Sequence, residues 1–72
     1  MDRAELQRRL QKADRRVEHA EHNIAQQRSM IETLERGGHD TRAANLFLRW
    51  LMAVQARALK ERDRLLNELS QN

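Results

Sequence analysis

The sequence predicts an all-α fold: an antiparallel, coiled-coil-like hairpin of two long helices that dimerises into a four-helix bundle. Three observations carry this expectation. Proline is absent and the only two glycines are adjacent, Gly37 and Gly38, so only the middle of the chain interrupts a helix. On both sides of them, apolar residues recur at helical spacing. The composition is rich in Ala, Glu, Arg, Leu and Gln, with Phe47 and Trp50 the only Phe, Trp or Tyr, which suits long helices with narrow buried stripes.

The first helix follows from a run stepping by four and three: Leu6, Leu10, Ala13, Val17, Ala20, Ile24, the polar Gln27, Ile31 and Leu34. This is a heptad seam with one polar lapse, flanked by charged and amide side chains. It predicts a helix over about residues 2–36, about 50 Å long at about 1.5 Å per residue.

The stop and restart are also written in the sequence. Arg36 places positive charge in the last turn, and Gly37 is free to adopt the left-handed conformation that closes a helix. Asp40 is a suitable N-cap before Thr41-Arg42-Ala43-Ala44, which starts a second helix over about 41–70. The link at 37–40 is short enough for an αα-hairpin, and the chain reads as one domain over 1–72.

An antiparallel register can then be read from residue size. It sets Leu34 against Ala44, Ile31 against Phe47, Gln27 against Leu51, Ile24 against Val54, Ala20 against Ala58, and Ala13 against Leu65. The polar lapses are Gln27 and Glu61, the latter opposite Val17 and expected to reach an arginine. Gln27 and Gln55 either fix register from within the seam or extend their amides out of it.

The second helix carries more apolar surface than one partner helix covers. Beside its seam lies a second stripe of Leu48, Met52, Leu59, Leu66 and Leu69, interrupted by Gln55 and Arg62, and on the other side lie Leu46, Trp50 and Ala53. A helix apolar over most of its circumference is a buried helix, and an exposed patch of this kind marks an interface. The expected association surface is Leu48, Trp50, Leu51, Met52, Leu59 and Leu66, used to form a homo-oligomer, a two-fold dimer being the commonest closed form. A different protein docking on the patch that Leu46 and Met52 bound is the rival occupant. Trp50 is either its anchor or a residue buried within the oligomer.

Chemistry is harder to find. With no cysteine there is no disulfide, thiolate ligand or thiol nucleophile. His19 and His22 have a spacing that can bind zinc, but they flank Ala20 of the seam and are expected to face solvent, without the third and fourth ligands a zinc site needs. His39, in the link, has no pocket around it and reads as a turn residue. No phosphate loop or nucleophile constellation appears, so the expectation is a non-enzyme with no cofactor and no metal. The longest apolar stretch, about nine residues over 46–54 and containing Arg49, falls short of the roughly twenty a membrane span needs. No signal-peptide pattern opens the chain, and the cytoplasm is the simplest expected location.

The net charge of +3 is unevenly spread. Residues 1–16 and 57–72, the open end of the hairpin, hold ten basic and six acidic side chains, +4, whereas 17–56 holds four basic and five acidic, −1. Arg8, Lys12 and Arg15 follow one another on the outward face of the first helix, with Arg9 and Arg16 beside them. These five are the candidate phosphate contacts of an alternative reading, a nucleic-acid-associated accessory protein. Interleaved acids and the lack of a stacking aromatic weigh against it.

The segments Glu21-His22-Asn23-Ile24-Ala25-Gln26-Gln27-Arg28, Ile31-Glu32-Thr33-Leu34, Gly38-His39-Asp40-Thr41 and Glu61-Arg62-Asp63-Arg64-Leu65-Leu66 resemble a group of short uncharacterised helical-hairpin proteins of proteobacteria. The resemblance implies a bacterial cytosolic hairpin and carries over no functional residue.

Overall fold

The computed structural model describes residues 2–71; Met1 and Asn72, included in the expected domain, lie outside the described residues. Helix α1 spans Arg3–Arg36 and helix α2 spans Arg42–Gln71, against expected ranges of about 2–36 and 41–70. The two pack along their length as a hairpin measuring 54 × 14 × 13 Å, with no strand among the described residues.

Both ends of α1 and the start of α2 have local causes. Asp2 is the N-cap of α1: its carboxylate accepts the Ala4 N–H at 3.4 Å and its carbonyl accepts the Leu6 N–H at 3.0 Å. At the other end the chain closes in two steps, His39 N–H to Leu34 carbonyl at 2.9 Å and Gly38 N–H to Glu35 carbonyl at 3.0 Å. This paired closure puts the left-handed residue at Gly38, φ 73°, while Gly37 stays right-handed at φ −84°. The expectation that Gly37 makes the turn is therefore corrected: α1 ends at Arg36 as expected, and the chain reverses at Gly38.

A second correction concerns the restart. The Thr41 carbonyl accepts the Asn45 N–H at 2.8 Å, so Thr41 occupies the cap position and Asp40 precedes it. The Asp40 carboxylate still serves the helix start by accepting the Arg42 N–H at 3.0 Å. It also clasps the Arg42 guanidinium, at 2.7 Å from Nη2, and this partnership lowers the Asp40 pKa.

The core is a single seam. α1 buries two rows of every-seventh residues, Leu6, Ala13, Ala20 and Gln27 in one and Val17, Ile24 and Ile31 in the other. α2 answers with one fully buried row, Leu51, Ala58 and Leu65, flanked by half-buried Leu48, Gln55, Arg62 and Leu69 on one side and Val54, Glu61 and Glu68 on the other. One ridge thus enters the groove between two, an economical way to interlock helices. Burial is deepest at the open end, where Leu6, Ala13 and Leu65 form a buried cluster with Leu10 and Leu69 against it.

Two seam expectations change. Phe47, set opposite Ile31 from residue size, is 49% exposed and lies beside the seam instead of in it. Gln27 stays inside, 5% exposed, with its Nε2 donating to the Ala44 carbonyl at 2.9 Å. Its amide does not extend into solvent; it bridges the helices.

Candidate interaction surfaces

Of the six large apolar side chains left exposed among the described residues, five belong to α2: Leu46, Phe47, Trp50, Met52 and Leu66; the sixth is Met30. Trp50 is 59% exposed and stacks on Phe47, ring centroids 5.7 Å apart at 16°. They stand three residues apart, which brings side chains together on a helix surface.

The expected association surface is divided by the fold. Leu51 is 6% exposed and its side chain is already used between the helices, which removes it from any outer surface. Leu48 and Leu59 are half-buried at the seam edge, while Met52 and Leu66 are open. Trp50 and Met52 are two residues apart, hence about 160° apart around the helix axis. They lie on opposite edges of the hairpin, so the six residues do not form one plane.

The edge carrying Trp50 has a groove of about 440 Å³ between the helices. Its floor is Ala20, Leu51, Val54 and Ala58, where the two alanines leave room; Arg16, His19 and Asn23 line it from α1, and Trp50, Arg57 and Glu61 from α2. Toward the open end the same edge continues with Arg9 and Lys12 beside Glu61.

The candidate phosphate contacts are likewise split. Arg9, Lys12 and Arg16 lie on this edge, with Arg57, Lys60 and Arg64 joining them from α2 around Glu61. Arg8 and Arg15 are exposed and outside the lining. The sequence places these bases at the open end but does not announce Arg57 beside Arg16, because that neighbourhood depends on the rotation of each helix about its axis.

Ion pairing orders part of this edge. Arg9 pairs with Glu5 at 3.3 Å, and Arg64 holds Glu61 at 2.7 Å and also contacts Glu68. The hydrogen bond from Arg64, with the nearby charges of Arg64, Arg16 and Arg9, lowers the Glu61 pKa. Glu61 thus reaches an arginine, as its place in the sequence suggested, though on its own helix. Arg62, at the opposite edge, has a buried Nε with no hydrogen-bond partner among the described residues, while its Nη2 lies 3.5 Å from Asp63.

His19, His22 and His39 are exposed. Among the described residues no group of three or more His, Cys, Asp or Glu side chains is placed to hold a metal ion, and no helix is long and apolar enough to cross a membrane. Comparison with protein-family models, curated proteins and solved structures finds no match, so the surfaces themselves carry the functional reading.

Proposed function

We propose that this protein is a small, non-enzymatic interaction module that self-associates through α2, a second hairpin laid against the first completing a four-helix bundle. The observation that carries the reading is the concentration of exposed large apolar side chains on α2, an arrangement that in a chain of 72 residues leaves the helix under-covered by its single partner. A cytoplasmic setting belongs to the same reading. Association of folded copies stabilises the fold by mass action, so the thermal midpoint rises with protein concentration. Met52→Glu/Leu66→Glu places charge on that surface and removes the concentration dependence; a midpoint independent of concentration in the native sequence would refute self-association.

A second reading is a nucleic-acid accessory role, favoured by the bases that both helices bring to one edge. It requires affinity for any duplex that falls steeply with salt. Lys12→Glu/Arg16→Glu/Arg57→Glu abolishes such binding, whereas Arg8→Glu/Arg15→Glu, outside the groove lining, weakens it less.

A further inference from the structure

The two edges of the hairpin differ in charge. Helical spacing places Asp14, Glu21 and Glu35 in one row of α1 at every seventh residue or a multiple of it, with Glu18 and Glu32 in the adjoining row. These rows lie on the side of α1 away from Arg9, Arg16 and Asn23, and therefore beside Leu48, Met52, Leu59 and Leu66 of α2. All five carboxylates are exposed and none forms an ion pair among the described residues; Arg28 is the one cation in their rows. On the other edge Lys12, Arg16 and Arg57 are exposed and, among the described residues, equally free of ion pairs; Arg16 and Arg57 line the groove that Trp50 also lines, and Lys12 lies further toward the open end. Arg42 and Arg49 also stand beside Leu48 and Met52, with Arg62 further along, and Glu61 lies among the bases of the other edge. The contrast is one of balance: one edge is aliphatic with carboxylates in excess, the other aromatic with bases in excess.

We infer that copies of this protein meet by opposite edges, the carboxylate edge of one hairpin against the Lys12–Arg16–Arg57 edge of the next. The inference rests on the self-association proposed above, specifies which surfaces take part, and replaces the closed pair of hairpins with a contact that a third hairpin can extend. A two-fold pairing brings a patch against its own copy, so either edge would face like charge; unlike edges bring opposite charges together. The apolar parts are complementary too. The groove floored by Ala20, Val54 and Ala58 offers holes, and the open side chains of Met52 and Leu66, with half-buried Leu59 between them, supply a row of knobs. A contact between unlike edges leaves one edge of each kind open at the ends, so the assembly closes as a ring or grows as a chain.

The test is charge reversal of each edge, read as solution mass by light scattering at low salt. One variant is Glu18→Lys/Glu21→Lys/Glu32→Lys and the other Lys12→Glu/Arg16→Glu/Arg57→Glu. All six positions are exposed, and circular dichroism checks that each variant stays helical. Each variant alone is expected to fall to the 8.6 kDa of one hairpin. Their equimolar mixture is expected to regain the native mass, since every contact between the two variants joins opposite charges. If either variant alone keeps the native mass, or the mixture fails to recover it, the opposite-edge contact is overturned while self-association stands. A native protein that itself runs at 8.6 kDa overturns both.

Discussion

The Gln27 Nε2 donates to the Ala44 carbonyl across the helix interface at 2.9 Å, joining residues 17 apart in sequence and fixing the two helices near the loop end. That carbonyl lies within α2, where it has a second lone pair to offer, so the bond adds a cross-link without breaking the helix ladder. Gln27→Ala removes both the bond and buried volume, and is expected to cost about 2 kcal/mol in urea unfolding. Gln27→Leu keeps the volume and leaves no orphaned donor, so its change should stay within about 1 kcal/mol. Equal losses in the two variants would assign the whole effect to the hydrogen bond.

The two glycines are expected to behave differently although adjacent. Gly38 has φ 73°, which a side chain adopts with strain, so Gly38→Ala should destabilise by about 1 kcal/mol. Gly37 is right-handed, and a Cβ there meets only the ring of exposed His39, 2.8 Å from its Cδ2, which can turn away. Gly37→Ala should therefore be close to neutral; thermal melts of the two variants make the comparison.

Neighbouring leucines separate folding from association. Leu65 is 1% exposed in the most deeply buried part of the core, and Leu65→Ala should cost about 3 kcal/mol, a large part of the stability of so small a domain. Leu66 is 47% exposed, and Leu66→Ala should leave dilute hairpin stability nearly unchanged while weakening association. Unfolding at two protein concentrations distinguishes the two effects.

Acid should loosen the structure. The folded pKa of Glu61 is lowered, first by its hydrogen bond from Arg64, so its contribution is present above the unfolded value and lost as pH falls through the folded one. Asp40 is lowered by Arg42 in the same sense. The thermal midpoint should start to fall near the unfolded carboxyl pKa of about 4.3 and continue below it. Glu61→Gln/Asp40→Asn should flatten that fall; an unchanged profile would mean that neither pair contributes.

Much of the fold is legible in the sequence because it depends on periodicity and punctuation. The stripe from Leu6 to Leu34 is the buried face of α1, and the adjacent glycines mark the reversal. What escapes is whatever depends on rotation about a helix axis. Phe47 and Val54 occupy equivalent heptad positions beside the buried row, yet Phe47 is left exposed where it stacks on Trp50. The same blindness hid the grouping of Arg57 with Arg16, because a count of charges along the chain carries no information about which edge each one occupies. Gln27 could be located in the seam but its bond could not be foreseen, since the acceptor is a main-chain carbonyl that no side-chain pattern announces.

Trp50 offers an internal reporter of assembly. It is the only tryptophan and 59% exposed in the single hairpin, so its emission should shift to shorter wavelength as concentration rises and an edge is covered. A constant, solvent-like emission across the association range would place Trp50 outside the contact.

The most direct measurement is the solution mass of the native protein by light scattering behind size exclusion, at low salt and tens of micromolar. Self-association through α2 requires a mass of at least two chains of 8.6 kDa each. A monodisperse 8.6 kDa species throughout would contradict it, and would leave the apolar side chains of α2 as a docking surface for another protein.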